Sequence, residues 1–394
     1  MVECLFWAGL FCAAYSYALY PLLLLQLSAL WQSKSDTVYR LASSKASVDR
    51  RASQGTVTLP SVAVVLSAYN EEKHIVERVE NLLALDYPAD KLRFYIGCDG
   101  CSDETVSRLS EYRQNPRIAL FDYEANRGKT SVLNDLLSEV SESITVFTDA
   151  NTNFRADAVR MLVRHFNDQS VGAVCGELDF TLLESGDNQD GLYWRLEKLL
   201  KFNESRLGGL LGANGAIYAI RTDLYQPLAL DCVIDDFMVV FGISQQGLRV
   251  KYDSEAVALE EEAPSSKDEY LRRVRIGAGN YQVFFRNLGL FKMQHPMLLF
   301  CYFSHKVVRW FTPHLLALVF LCNLILLDQV FYQLSFGIQL FLYLSVYRVH
   351  KTSWQPPGLL KLPIFLLYMN VALGHGFLRY ISGRSSATWE RTAR

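Results

Sequence analysis

Asp149 and Asn151 close the apolar, β-type run from Ile144 to Phe147. Two apart on an extended chain, they point the same way, and beyond the last strand pair their oxygens can hold a hard divalent cation. An Asp-x-Asn after a strand is also a common turn or helix N-cap, so the pattern alone leaves both readings open. Asp235 and Asp236 form a second acidic pair at a helix start. Taken alone, they read as a solvated first turn. Asn126–Arg127–Gly128–Lys129 sets a flexible glycine and a cation ahead of a helix, as phosphate binding requires. Cys98 and Cys101 have Cys-x-x-Cys spacing, but among the eight cysteines no second pair or nearby histidine pair completes a zinc site.

The elements that must position these residues follow from hydrophobic periodicity. Ser61–Ser67 reads as a buried strand. Asn70–Glu71–Glu72 then opens a helix with acids in its first turn, and Ile75, Val79, Leu82 and Leu83 recur at helical spacing. Leu92–Cys98 is a second strand ending at Asp99–Gly100–Cys101–Ser102–Asp103, and Ser102 or Asp103 caps a helix from Glu104 to Tyr112. Ile118–Asp122, a helix over Lys129–Val140 and the strand Ile144–Phe147 complete a β-α-β-α-β-α-β order. That order predicts an α/β fold: a mostly parallel sheet with helices on both faces and ligands outside the carboxyl ends of its strands. Residues 69–71, Asp99, Asp103, Asp149 and Asn151 all fall at such ends. A dinucleotide-binding dehydrogenase is disfavoured, since no Gly-x-Gly-x-x-Gly follows the first strand.

The chain has 394 residues and a net charge of −2, with no basic stripe interleaved with aromatics, which argues against nucleic acid as a partner. Its apolar residues are concentrated at the two ends. From Cys4 to Gln32 there is no charged side chain, longer than the roughly 20 residues that span a bilayer, so residues 1–33 read as a transmembrane helix. A cleaved signal peptide would need a basic leader and a shorter apolar stretch. Lys34, Arg40, Lys45, Arg50 and Arg51 in a linker over 34–60 place that side in the cytoplasm. Residues 284–310 mix aromatics with basic residues, as helices in a headgroup layer do, or as helices packed on a soluble domain do. Residues 311–380 hold three apolar runs, followed by a basic tail over 381–394. Three full spans put that tail outside, against the positive-inside rule, so the last run is either a span or a re-entrant or interfacial segment.

Six short motifs in order carry a resemblance: residues 67–71, 99–103, 126–129, 148–151, 212–216 and 234–236. Together they resemble the motif set of membrane-bound family-2 glycosyltransferases, which have a GT-A fold flanked by membrane helices and include the cellulose, chitin, hyaluronan and poly-N-acetylglucosamine synthases. The resemblance covers about residues 61–285, with the GT-A domain over 61–283, and the terminal apolar runs fit the same group.

The resemblance implies roles where positions match. Tyr69, Glu71 and Asp99 would hold the nucleoside of a UDP-sugar, with Lys129 and Arg275 near the nucleotide. Asp149 and Asn151 would hold Mg²⁺ or Mn²⁺ on the diphosphate, although an amide stands at Asn151 where the family carries an acid, which implies weaker metal binding. Asp236 would be the catalytic base of inverting transfer, and Gly212, Asn214 and Asp235 would meet the acceptor. Arg272–Ile276 falls where processive members carry Gln-x-x-Arg-Trp, and only Arg275 matches. The implied protein is a multi-pass enzyme of the inner (plasma) membrane with its catalytic domain in the cytoplasm. It transfers sugar to a glycan or lipid-linked acceptor in polysaccharide or glycolipid synthesis. Processive exopolysaccharide synthesis is an alternative, and so is a non-catalytic sugar-nucleotide-binding subunit.

Overall fold

The computed structural model describes residues 1–45, 59–180, 189–260, 266–288, 295–352, 354 and 356–383. Residues 46–58 of the basic linker, Arg50 and Arg51 included, and the basic tail from residue 384 lie outside the described residues. Eight strands form one sheet in the order β3-β2-β1-β4-β7-β6-β8-β5. They are β1 Val62–Ala68, β2 Leu92–Asp99, β3 Ile118–Tyr123, β4 Ile144–Asp149, β5 Thr152–Phe154, β6 Val171–Phe180, β7 Tyr218–Arg221 and β8 Arg249–Glu260.

The four strands expected from the sequence are β1 to β4, and they pair in parallel, with β1 between β2 and β4. Every residue of β1 is buried, because helices cover both faces and leave no polar side to alternate with. Val62, Val64 and Leu66 join one core cluster, while Ala63 and Val65 join the other. The strand order reverses direction around β1, so a crevice opens where β1 and β4 end side by side. Beyond β4 the sheet turns mixed: β7 runs antiparallel to both β4 and β6, and β5 pairs antiparallel with the far end of β8.

Five helices of this domain are α3 Ile75–Leu83, α4 Thr105–Leu109, α5 Lys129–Glu139, α6 Ala158–Val163 and α8 Asp235–Gln245. The helix expected to open at Asn70 starts instead at Ile75. Asn70 takes a left-handed conformation (φ 55°), and the N–H groups of Glu71 and Glu72 donate to Thr105 and Asp103 in the neighbouring loop. Those donors are thereby satisfied without a helix turn. Likewise the helix expected over Glu104–Tyr112 is a short α4 that tightens into a 3₁₀ turn at Ser110–Tyr112.

The remaining helices are α1 Val2–Ala14, α2 Tyr20–Lys45, α7 Gln189–Leu207, α9 Ser266–Arg286, α10 Pro296–Cys301, α11 Val308–Ile325, α12 Val330–Lys351 and α13 Gly358–Ile381. Two π-helical turns, Tyr15–Leu19 and Tyr302–Val307, join α1 to α2 and α10 to α11. The described residues include four stretches long and apolar enough to cross a membrane: Val2–Lys34, Pro296–Ile325, Val330–Lys351 and Gly358–Ile381. No break in the helix separates a headgroup-layer segment from a span near residue 310, since Pro296–Ile325 is continuous. The apolar face these helices turn outward, including Leu22, Leu334, Ile338 and Leu344, is what a bilayer would cover.

One contact joins the two parts backbone to backbone. Gly277 on α9 lies against Gly376 on α13, and a Cβ added at Gly376 would stand 2.8 Å from three backbone atoms of α9. Small residues of this kind let helix axes approach closely. Gly376→Ala therefore lowers the thermal unfolding midpoint of the purified protein by several degrees. Gly337→Ala on α12, where an added Cβ meets nothing within 4 Å, leaves it unchanged or raises it. Equal midpoints for the two variants would contradict this packing.

Candidate active site

The crevice is assembled from four element ends. β4 delivers Asp149, α5 delivers Lys129 in its first turn, α8 delivers Asp235 and Asp236 in its first turn, and the segment 212–216 runs between them. Lys129 Nζ lies 2.8 Å from Asp149 Oδ1 and 3.4 Å from Asp235 Oδ2. Burial pulls the Lys129 ammonium down, but Asp149, Asp235 and Asp236 outweigh it and hold its pKa above that of an ordinary lysine. One cation thus ties β4, α5 and α8 together.

Gly215 marks the centre. A methyl group added there would lie 3.6 Å from Asp236 Oδ2 and 3.8 Å from Asp149 Oδ2, so both carboxylates converge on a residue with no side chain. Asp236 Oδ1 accepts the N–H of Phe237 at 2.8 Å. Burial and the neighbouring Asp235 push the Asp236 carboxyl up to about 6, against the opposing pull of Lys129 and that N–H. A carboxylate tuned close to neutral pH is what a general base needs.

Asp99, fully buried, accepts the N–H groups of Arg127 and Gly128, each at 2.8 Å. It fixes the loop that starts α5 and so sets where Lys129 begins. Gly100 (φ 64°) is required here, because a Cβ would stand 2.4 Å from the Asn126 nitrogen. Tyr69 and Glu71 follow β1 at the same crevice, partly exposed. Asn151 opens the turn into β5, and its Nδ2 donates to Glu260 Oε1 at 3.0 Å, which leaves the amide oxygen as its metal-type donor. Asn214 directs its side-chain oxygen to the Ala216 N–H at 3.4 Å, closing the turn around Gly215.

The helix α9 places its arginines apart. Arg275 is exposed, whereas Arg273 lines a cavity behind Asp236, donating to Glu269 at 2.6 Å and lying over the Tyr193 ring. Sequence reasoning missed Arg78, which is 1% exposed beneath β4. It donates to Thr148 Oγ1 at 2.7 Å and Asn81 Oδ1 at 2.6 Å and stacks on Phe154. The Thr148 hydroxyl in turn donates to the Ala216 carbonyl at 2.9 Å, so Arg78 joins the end of β4 to the glycine segment. Burial lowers its pKa to about 9 against the attraction of Asp149. Its signal in the sequence was a charge among Ile75, Val79 and Leu82 on the apolar face of α3. Tyr218 was missed as well; it stacks on Phe147 with centroids 4.5 Å apart and floors the site below the acids.

Residues 63–223 match the family described as Glycosyl transferase family 2. The chain carries a family 2 glycosyltransferase domain. Among curated proteins it is similar to poly-beta-1,6-N-acetyl-D-glucosamine synthase of Staphylococcus aureus. The two are 24% identical over 267 residues, covering 66% of this chain and 64% of that protein. The synthase of the same name from Staphylococcus epidermidis is 24% identical over 232 residues, 57% of this chain and 56% of that protein. The match thus spans less than two thirds of these relatives' length. Among solved structures the chain is similar to a mannosyltransferase, PcManGT from Pyrobaculum calidifontis, in complex with GDP-Man and Mn2+. The TM-score is 0.73 at 18% identity, over 98% of this chain and 100% of that one. The glycosyltransferase domain has the GT-A fold, and the likeness in fold extends through the apolar helices that flank it.

Lys129→Met would leave Asp149, Asp235 and Asp236 without their shared cation. Ionised, the three acids repel one another, and protonation relieves this. The loss of stability is therefore about 3–5 kcal/mol at pH 8 and smaller at pH 5, as denaturant unfolding at the two pH values would measure. An equal loss at both would argue against the hub.

Proposed function

We propose that this protein is an inverting glycosyltransferase that moves a sugar from a UDP-sugar to a lipid-linked acceptor at the cytoplasmic face of the inner membrane. The observation that carries this reading is the convergence of Asp149 and Asp236 on Gly215, with Lys129 between the elements that bear them. A donor diphosphate beside Lys129 would put the anomeric carbon within reach of a hydroxyl held by Asp236. The acceptor oxygen attacks that carbon as its proton passes to Asp236. The bond from the anomeric carbon to the diphosphate breaks, its electron pair leaving with the nucleoside diphosphate. Tyr69 and Glu71 at the end of β1 would face the nucleoside, and Gly212 and Asn214 would shape the acceptor side.

The residues present fit a divalent cation that arrives with the donor. Among the described residues no three acidic, histidine or cysteine groups form a cage. Asp149 and the Asn151 amide oxygen supply the one or two hard oxygen ligands that Mg²⁺ or Mn²⁺ needs when phosphates supply the rest. Bound there, the cation would offset charge on the departing diphosphate.

Transfer of one or a few sugars fits the absence of an aromatic platform at Ile276 and the small volume, about 250 Å³, of the cavity that Asp236 lines. The relatives named as polymer synthases favour chain extension instead. Product length from purified protein, measured across a panel of UDP-sugars with GDP-mannose as comparison, separates the two.

Asp236→Asn lowers transfer by about 10²–10⁴-fold and leaves donor binding within about twofold. In the wild-type enzyme kcat/KM falls about tenfold per pH unit below about pH 6, because the base works only when deprotonated. Near-normal turnover by the variant, or a flat profile through pH 6, would remove the assignment. Asn151→Asp alone brings a carboxylate against Glu260 and does not tighten Mn²⁺ binding, whereas Asn151→Asp with Glu260→Gln does, by about tenfold in titrations with donor present. Tighter binding by the single variant would overturn this.

A further inference from the structure

Behind Asp236, between the glycosyltransferase domain and the apolar helices, lies a cavity of about 250 Å³. Its lining includes Asp236 and Gly212 as well as Leu366 and Leu373 of α13, so one space borders both the candidate base and the membrane-like part. Its two glutamates are already committed. Glu204 accepts from the Tyr20 hydroxyl at 2.6 Å and faces His305 Nδ1 at 2.6 Å. Glu197 accepts from Arg309 Nη1 and faces His305 Nε2 at 3.2 Å.

The cations are in surplus. Lys201 and Lys306 line the cavity, and neither makes a hydrogen bond or ion pair with any of the described residues. Arg309 is only 8% exposed, yet its Nε and Nη2 have no partner among them. Unpaired guanidinium donors in a buried site are costly, and their planar fork matches a phosphate. The two ammonium groups, neither within ion-pair distance of an acid among the described residues, add charge without adding geometry. The cavity is smaller than the roughly 300–1,000 Å³ of sites for whole drug-sized ligands, so it suits a head group whose tail stays outside.

We infer that this cavity seats the acceptor, and that the acceptor is a sugar-bearing lipid phosphate. Its phosphate lies against Lys201, Lys306 and Arg309, its apolar chain leaves along α13, and its sugar hydroxyl faces Asp236. This rests on the transferase reading above and names its substrate class. The hydroxyl proton passes to Asp236 as the new glycosidic bond forms, and the lipid phosphate itself is unchanged.

The full-length protein in detergent can be tested with farnesyl phosphate, farnesol and inorganic phosphate, following ligand-induced shifts in thermal unfolding, with UDP-sugar binding measured separately. Farnesyl phosphate is expected to saturate and to bind at least about tenfold more tightly than farnesol or inorganic phosphate. Lys201→Gln with Lys306→Gln, which breaks no hydrogen bond among the described residues, is expected to weaken farnesyl phosphate by at least about tenfold with UDP-sugar binding unchanged. Equal binding of farnesol and farnesyl phosphate would overturn the anion site. Inorganic phosphate binding as tightly as the lipid would overturn the lipid assignment. An undiminished response in the double variant would overturn the role of the lysines. Failure of the wild type to bind any nucleotide sugar would strike the transferase reading alone, since the lipid comparison is scored independently.

Discussion

Three carboxylates cannot share a crevice of this size unless something cancels their repulsion, and Lys129 does so. Its position is fixed from below: Asp99 holds the loop ahead of α5 through two backbone N–H groups, and Gly100 allows that loop to lie against the end of β2. Its charge then holds β4 and the start of α8 in place. Remove the cation and the acids repel one another unopposed; retain it and Asp236 stays poised near neutrality beside Asp149 and Asp235. The candidate base and the candidate metal ligand are therefore parts of one electrostatic arrangement, built from elements far apart in sequence.

A second arrangement fastens the domain to the apolar helices. Tyr20, Glu204, His305, Glu197 and Arg309 form a continuous buried chain of polar contacts linking α2, α7, the π-helical turn after α10 and α11. Buried networks of this kind are costly unless satisfied, and they select one packing over its neighbours. The two π-helical turns lie beside this chain, where an extra residue per turn re-aims Tyr20 and His305 toward the same glutamate. The anionic-ligand cavity is what remains on the side where the cations outnumber these acids.

Much of the sheet was legible because buried parallel strands are apolar runs of fixed length, and the ends of β1, β2 and β4 can be read from where those runs meet polar residues. Asp149 was visible for the same reason, Lys129 from the glycine ahead of its helix, and Asp236 only through the resemblance of the ordered motifs. What the linear pattern hid were relations across the fold. Arg78 looked like one polar residue in an amphipathic helix, although its place among Ile75, Val79 and Leu82 already put a charge in the core. The onset of α3 was misplaced because Asn70, Glu71 and Glu72 satisfy their backbone through a neighbouring loop that periodicity cannot see. Arg273 and Arg275 differ by two positions, hence by about 200° around a helix, and only packing tells which one faces inward.

The contact between Gly277 and Gly376 leaves no compliant side chain between a wall of the catalytic domain and a helix suited to the bilayer. A change in the tilt of α13 is carried directly into α9, on which Arg273 and Ile276 line the acceptor cavity. Hydrocarbon thickness sets that tilt when a helix of fixed length must match it. With α13 spanning a bilayer, lipid chain length would become a mechanical input to the shape of this cavity, which would then differ between thin and thick membranes.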